Sequence, residues 1–297
     1  MLTKSMNVVD LIVKRLRALA QNSPDLQNAT KLYEAILPIL RDANIYAVPV
    51  SLTPEQARVK MENGLPLLHD QHLELSVEAV RKLILQLARA VEAIHGVIDD
   101  GDPLLRTEAA HRIRLALEEN RLNISALLPY IVAGDDRPVA STAQEIDLDT
   151  NLVLVLAHNA LEPALHEWRR ELTPLAEGIK WHKGFCFVCG AVASLGELQG
   201  NDQAMHLRCG QCGADWPFRR LLCLYCGNED HNTQKYLYAE KEREKMHVEV
   251  CDKCKGYIKV IASFDPTPAE MLSIEDLATL HLDYIAQERG YVRRTVL

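Results

Sequence analysis

Eight cysteines, arranged as four C-x-x-C pairs, constrain this chain more than any other feature. None lies outside the stretch that they span. A C-x-x-C turn brings two thiolates close enough to bind one metal ion, and two such turns complete a tetrahedral four-sulfur site that suits zinc or mononuclear iron. The sequence therefore predicts two metal sites. The cysteines are Cys186, Cys189, Cys209, Cys212, Cys223, Cys226, Cys251 and Cys254.

The spacing between the pairs predicts which of them share a site. Nineteen residues separate the first pair from the second, and twenty-four, a span that a hairpin can bridge, separate the third from the fourth. Only ten separate the second from the third, which suits a connection between two modules. We therefore predict site one from the first two pairs and site two from the last two. A cross-braced arrangement, with the first pair joined to the third, is the alternative.

Closed four-sulfur sites limit the chemistry of the chain. They leave no open position for a substrate, so metal-assisted hydrolysis is not expected. No βαβ pattern surrounds the pairs, which disfavours a thioredoxin-type dithiol enzyme. A scaffolding role and an iron-based redox or sensing role both stay open. The ligands alone do not decide between iron and zinc, because metal supply also determines what is loaded.

Several polar and aromatic residues lie close to the cysteines in sequence. We expect Trp216 to pack over a cysteine turn and shield sulfur from water. Arg219 and Arg220 could offset the charge of a four-sulfur centre, contact an acidic partner, or form a solvated pair. Eight cysteines already complete two sites, so the nearby histidines are expected to be surface or neighbouring residues and not ligands. These histidines are His182, His206, His231 and His247.

The pattern of apolar residues changes once along the chain. Helical spacing dominates the first part, most clearly over residues 77–95, which Ser76 can cap. Short alternating runs follow and indicate strands between metal-binding turns, before a last helix. The predicted fold class is α+β and multidomain. The predicted domains are an α-helical domain at 1–178, metal modules at 179–221 and 222–268, and a C-terminal helix packing on the modules at 269–297.

Charge and hydropathy exclude several functions. Residues 181–260 carry 11 basic and 10 acidic side chains, and the whole chain has a net charge of −8, which opposes nucleic-acid binding. The longest aliphatic run, residues 152–157, is far shorter than the ~20 residues of a membrane helix. The sequence has no secretory signal pattern, so we expect a cytoplasmic protein without membrane insertion. It also has no nucleotide-binding loop or hydrolase motif.

Four stretches resemble a known family, the formate dehydrogenase accessory proteins (FdhE). Residues 181–190 and 207–216 are similar to that family's first two cysteine turns, with Arg220 three residues before the third pair. Residues 250–259 resemble its fourth turn, and 275–283 its closing helix. Two local departures are Phe187, where the family often has proline, and Lys255, where it has glycine.

The resemblance implies a cytoplasmic maturation factor that is not itself an enzyme. Such proteins bind the catalytic subunit of respiratory formate dehydrogenase and are needed for its activity, and their cysteine modules are rubredoxin-like and associated with iron. We therefore expect two mononuclear iron sites, each with four cysteine ligands, and zinc as the alternative metal. Two other functions are considered: a rubredoxin-like electron-transfer or oxygen-sensing protein, and a structural zinc-ribbon protein that binds nucleic acid.

Overall fold

The chain divides into two compact units, each containing more than one segment. The computed structural model describes residues 8–43, 47–71, 73–94, 103–133, 135–240 and 242–294. The first unit comprises Met1–Pro49 and His72–Glu167, and the second comprises Val50–Gln71 and Trp168–Leu297. A helical N-terminal part, a β-sheet region that holds the cysteines, and C-terminal helices follow one another along the chain. The predicted fold class is therefore confirmed.

Eight α-helices precede the sheet in the described chain. In the first unit, α4 buries the apolar stripe that its sequence predicts, including Val80, Leu83 and Leu87. The Ser76 side chain accepts a hydrogen bond from the Ala79 backbone N–H and caps this helix, as expected. The eight are α1 (Val8–Asn22), α2 (Gln27–Arg41), α3 (Pro54–Glu62), α4 (Val77–Glu92), α5 (Pro103–Glu118), α6 (Ile124–Ala133), α7 (Asp136–Glu145) and α8 (Thr150–Leu172).

Helix α3 belongs to the second unit, although its sequence lies between helices of the first. A capping box starts it: Thr53 accepts from the Gln56 N–H, and the Gln56 side chain accepts from the Thr53 N–H. The helix packs against a 3-10 turn at Thr173–Ala176. Local periodicity predicts the helix but does not reveal which unit it joins, so the segment falls within the predicted helical domain at 1–178. The remaining predicted domain boundaries stay predictions.

Six strands of the described residues form one mixed sheet in the second unit. The order is β3-β2-β1-β6-β5-β4, and only the central pair, β1 with β6, is parallel. Each predicted metal module thus contributes three antiparallel strands, and the two sets join edge to edge. The strands are β1 (Leu195–Gln199), β2 (Ala204–Arg208), β3 (Asp215–Pro217), β4 (Gln234–Leu237), β5 (Met246–Cys251) and β6 (Tyr257–Ser263).

Two helices, α9 (Leu272–Ala278) and α10 (Leu280–Glu288), follow the sheet, where the sequence predicted one. The helix breaks at Thr279, whose side chain donates back to the Glu275 carbonyl. Helix α10 covers one face of the sheet and buries Val248 and Leu282 in a shared apolar cluster. This packing gives the second unit an apolar core between sheet and helix.

A buried ionic network fastens these helices to the sheet. The Lys259 ammonium is fully buried and lies 2.6 Å from Asp283 Oδ2 and 2.9 Å from Asp276 Oδ1. Arg293 completes the network: its Nη2 lies 2.8 Å from Asp276 Oδ1 and also donates a hydrogen bond to the Ser194 carbonyl. Burial raises the pKa of Asp276, but Arg293 and Lys259 outweigh burial and the net shift is downward. The carboxylate therefore stays charged opposite its partners.

Candidate metal centres

The eight cysteine sulfurs form the two groups of four that the spacing predicts. In each group the sulfurs all lie within 4.8 Å of one another. The structure does not have the cross-braced arrangement. Site one is Cys186, Cys189, Cys209 and Cys212, and site two is Cys223, Cys226, Cys251 and Cys254.

The sulfur separations fit a tetrahedral metal ion. In site one, the Cys186–Cys212 and Cys189–Cys209 separations are both 3.5 Å. In site two, Cys223–Cys254 is 3.7 Å and Cys226–Cys251 is 3.8 Å. Metal–sulfur bonds of about 2.3 Å in a tetrahedron place sulfurs about 3.8 Å apart. The donor set and its spacing therefore suit zinc or mononuclear iron at both sites.

All four cysteine turns share one backbone geometry. The N–H of the residue after the second cysteine donates to the carbonyl of the first, at 2.8–3.0 Å in every turn. That residue has a positive φ: 87° at Gly190, 74° at Gly213, 66° at Gly227 and 58° at Lys255. Lys255 thus adopts the left-handed conformation that glycine adopts elsewhere, which costs a non-glycine residue ~1–2 kcal/mol. Its side chain is held by Asp252 at 3.0 Å and by the Tyr291 ring.

N–H groups point at the sulfurs of both sites. In site one, the Val188 N–H donates to Cys186 Sγ at 3.3 Å and the Cys212 N–H to Cys209 Sγ at 3.5 Å. In site two, the Gly256 N–H lies 3.4 Å from Cys254 Sγ. Each of these contacts stabilises a thiolate and spreads the negative charge of a four-sulfur centre.

Crowding of the thiols favours a bound cation. Contacts with the three neighbouring sulfurs lower the pKa of Cys209 well below its usual range. Burial and contacts with the other three sulfurs of site one raise the pKa of Cys212. In site two, burial opposes ionisation of Cys251, but the Cys254 and Lys253 N–H groups outweigh it and lower that pKa to about 7. When one thiol of a group ionises, its negative charge makes ionisation of the neighbouring thiols less favourable. A bound divalent cation offsets this repulsion, so that all four can be thiolates.

The two sites differ in their exposure to solvent. All four cysteines of site one are buried, whereas in site two Cys226 is exposed and Cys254 is half-buried. Residues 66–68, here called the covering segment, bond to the first cysteine turn of site one. The Leu67 N–H donates to the Phe187 carbonyl at 2.7 Å, and the Leu68 N–H to the Val188 carbonyl at 2.9 Å.

The covering segment packs on the first cysteine turn as well as bonding to it. Leu67 is fully buried, and Pro66 lies so close to Gly190 that an added Cβ there would be 3.2 Å from Pro66 Cγ. In the described part of the chain, no backbone N–H donates to the equivalent carbonyls of Leu224 and Tyr225 in site two. Nothing in the sequence points to this segment, because it lies more than a hundred residues from the cysteines and carries no motif.

Trp216, Arg219 and Arg220, the flanking residues that the sequence singles out, each make different contacts. Trp216 is buried, contacts Phe187 of the first cysteine turn edge to face, and donates from Nε1 to the Lys183 carbonyl. Arg219 forms an ion pair with Glu229 at 2.6 Å. Arg220 donates to the Gln203 carbonyl at 2.5 Å, away from the cysteine sulfurs.

The histidines near the cysteines lie outside both sulfur groups. His206 Nδ1 is 2.5 Å from Asp215 Oδ1, and His247 Nε2 is 3.5 Å from Glu249. Burial raises the pKa of Asp215, but hydrogen bonds from His206 and Gln199 outweigh it and lower the pKa overall. Each of these two histidines therefore faces a carboxylate.

Known proteins resemble this chain most clearly in its C-terminal part. The family model described as the FdhE C-terminal domain matches residues 221–297. An FdhE homologue of Aquifex aeolicus is 30% identical over 136 residues, which is 45% of this chain and 47% of that protein. The FdhE protein of Escherichia coli O127:H6 is 29% identical over 114 residues, 38% of this chain and 36% of its own. The matched part thus spans less than half the length of these two relatives.

The fold of nearly the whole chain also has a solved counterpart. The crystal structure of the FdhE protein from Pseudomonas aeruginosa superposes with a TM-score of 0.62 at 22% identity, covering 96% of this chain and 92% of that one. This likeness extends the similarity in fold to the helical N-terminal part. The family resemblance read from the cysteine turns is confirmed. Over its described residues, the chain has no helix long and apolar enough to cross a bilayer.

Proposed function

We propose that this chain, whose C-terminal part matches the FdhE C-terminal domain, is an accessory protein for the maturation of formate dehydrogenase. In this proposal it binds the catalytic subunit of that enzyme in the cytoplasm and is needed for its assembly or activation. It catalyses no reaction itself. The match to the FdhE C-terminal domain is the observation that carries the proposal.

The geometry of the cysteine groups supports a role in binding. Both groups offer four thiolates, so a tetrahedral ion in either would have no open position for a substrate. Neither group includes a histidine or carboxylate that could move a proton. A closed site of this kind organises protein structure or holds an electron; it does not hydrolyse a bond.

We propose iron as the metal of both sites, with zinc as the alternative. The same eight cysteines would hold either ion. When bound, iron would supply one-electron chemistry, whereas zinc would supply only structure. The N–H groups that face the sulfurs would stabilise the charged centre with either metal.

Electron transfer or oxygen sensing is a second candidate, and the exposure of Cys226 favours it. A sulfur ligand at the surface gives an electron or dioxygen a short path to the metal, which site one lacks. This function predicts a coloured protein whose visible bands bleach reversibly on reduction. A colourless protein with two zinc ions, purified anaerobically from its native host, would contradict it.

Co-purification tests the proposed function most simply. A tagged chain is expressed in its native host, recovered anaerobically from the cytoplasmic fraction, and its bound proteins are identified by mass spectrometry. We expect the catalytic subunit of formate dehydrogenase among them, and we expect deletion of the gene to leave that subunit synthesised but inactive. The proposal fails if the subunit is never recovered and formate oxidation survives the deletion.

A further inference from the structure

A cleft on the sheet of the second unit has the composition of a binding site. Its volume is about 630 Å³, and tyrosines and cations line it. Tyr236 and Tyr238 are 47% and 37% exposed, and both line the same cleft, so their rings are accessible to a ligand there. Tyrosine and arginine are the residue types enriched at binding hot spots. Its lining includes Leu198, Arg220, Tyr236, Tyr238, Arg243 and Lys245.

The strand register places this cleft on the sheet face opposite α10. Leu198 of β1 pairs with Ala262 of β6, and across the sheet Glu249 of β5 pairs with Tyr236 of β4. Side chains alternate between faces along a strand, so Val248 points the other way. Val248 lies in the apolar cluster under α10. One face of the sheet is thus covered by the chain itself, while the other face holds the cleft.

The width of the cleft suits a short extended segment. It crosses four adjacent strands, β1, β6, β5 and β4, from Leu198 to Tyr236. Strands lie about 4.8 Å apart, so three spacings span ~14 Å. An extended chain advances about 3.3 Å per residue, and four or five residues therefore cover this distance.

Three cations in the cleft have no carboxylate partner in the described part of the chain. Arg220 bonds to a backbone carbonyl, and the Arg243 guanidinium lies 4.9 Å from the centre of the Tyr238 ring. Lys245 forms no ion pair among the described residues. The two acidic side chains of the lining are Glu244 and Glu249, the latter half-buried beside His247. The lining therefore has a net charge of +1 in a chain whose net charge is −8.

The arginines and tyrosines are positioned for a carboxylate. A guanidinium presents paired N–H donors that match the two oxygens of a carboxylate. Contacts with Gln203 and Tyr238 hold the two arginines before any ligand arrives. Burial and Glu249 raise the pKa of Tyr236, so its hydroxyl keeps its proton and can donate a further hydrogen bond.

We propose that this cleft binds an extended, carboxylate-bearing segment of the partner protein, four or five residues long. The inference rests on the proposed function, since it assigns the surface through which the chain meets its partner. Arg220 and Arg243 form ion pairs with the carboxylates of the segment. Tyr236 and Tyr238 pack against its backbone and side chains. Of the roles considered for Arg220, contact with an acidic partner is the one that this position supports.

A labelled acidic peptide tests the cleft directly. The probe is a fluorescent eight-residue peptide of glutamate and aspartate, titrated with the full metal-loaded chain by fluorescence anisotropy. We expect R220E/R243E to weaken binding at least tenfold. R220K/R243K keeps the charge but loses the planar guanidinium and its paired N–H donors, so it should weaken binding less. The control R41E/R137E makes the same charge change on exposed residues of the first unit and should leave binding within twofold.

Metal content and thermal unfolding confirm that each variant is folded before it is titrated. Failure of the wild-type chain to bind the peptide, or equal binding by R220E/R243E, would overturn the proposal. Displacement of the peptide by an equal concentration of inorganic phosphate would also overturn it, because the cleft would then select small anions and not a segment.

The cleft and the proposed function can fail separately. Co-purification of the formate dehydrogenase subunit with wild-type chain and R220E/R243E alike would overturn the cleft and leave the function standing. Loss of peptide binding in R220E/R243E, when no dehydrogenase subunit is recovered with the wild-type chain, would support the cleft and remove the proposed partner. Loss of the subunit in R220E/R243E alone would support both.

Discussion

Site one and site two have the same ligands and the same turns, yet their surroundings differ. Every cysteine of site one is buried, whereas Cys226 of site two is exposed. The covering segment bonds to the first turn of site one from a distant part of the sequence, and no backbone N–H of the described residues makes the equivalent bonds in site two. The comparison teaches that a C-x-x-C pair determines ligand geometry, while distant packing determines whether the metal is accessible.

The difference in exposure between the two sites gives them different expected roles. Site one lies beneath Trp216 and the covering segment, so a metal there would stabilise the fold and be shielded from solvent. Site two would place a sulfur ligand at the surface, where an oxidant, a chelator or a partner can reach it. We therefore expect site one to be structural and site two to be the site that responds to its environment.

Removing one ligand from each site should produce the largest effect. We expect Cys209→Ser to lose the metal of site one and to unfold much of the second unit, because structural zinc binding supplies roughly 10–16 kcal/mol of folding free energy. Cys226→Ser should weaken metal binding at site two, while the sheet and α10 stay folded. Metal content per chain and circular dichroism melting measure both effects. Equal loss of folding in the two variants would contradict the assignment of roles.

Weakening the covering segment should make the metal of site one as accessible as we expect the metal of site two to be. Leu67 is fully buried, so Leu67→Ala should lower the free energy of unfolding by about 2–5 kcal/mol and speed metal release from site one. The matched control is Leu65→Ala, because Leu65 is 36% exposed. Urea unfolding and chelator kinetics measure the two quantities. The covering segment does not protect site one if release from it is unchanged in Leu67→Ala.

Alanine at the glycines of equivalent turns isolates the packing of the covering segment. Gly190 and Gly227 both have positive φ, so alanine at either should cost ~1–2 kcal/mol in backbone strain. A Cβ at Gly190 would also meet Pro66 Cγ, whereas nothing lies within 4 Å of one at Gly227. We therefore expect Gly190→Ala to be the more destabilising in urea unfolding. Equal losses of stability in the two variants would mean that Pro66 moves aside at no cost in free energy.

Lys255→Gly should have the smallest effect of these substitutions. Glycine relieves the left-handed strain at Lys255, but it removes the contacts with Asp252 and the Tyr291 ring and increases the freedom of the unfolded chain. These changes oppose one another, so we expect stability to change less than in Gly227→Ala. Urea unfolding under the same conditions is the measurement. A larger change would indicate that the lysine has a role at site two beyond its turn.

Local signals in the sequence were sufficient for the cysteine groups and for several helices. The spacing of the pairs predicted which cysteines meet, and Ser76 predicted the start of α4. The alternating runs predicted the approximate positions of the strands. Each of these features depends on residues close together in sequence, where turn and capping chemistry acts directly.

Long-range pairing could not be predicted in this way. Nothing local indicates that β1 pairs in parallel with β6, or that Leu67 bonds to Phe187. The break of the last helix at Thr279 was also missed, because the apolar periodicity continues across it. Such features depend on tertiary packing, which overrides local propensity. The exposure of Cys226 is a consequence of the same packing, so the difference between the sites was not visible in the sequence.

The rate of metal release from each site tests the central claim most directly. The metal-loaded chain is mixed with excess chelator, samples are alkylated at intervals, and modified cysteines are identified by mass spectrometry. When half of the metal has been released, we predict that the modified residues are those of site two, with Cys226 first and site one still protected. Equal modification of both sites, or earlier modification of site one, would contradict the account.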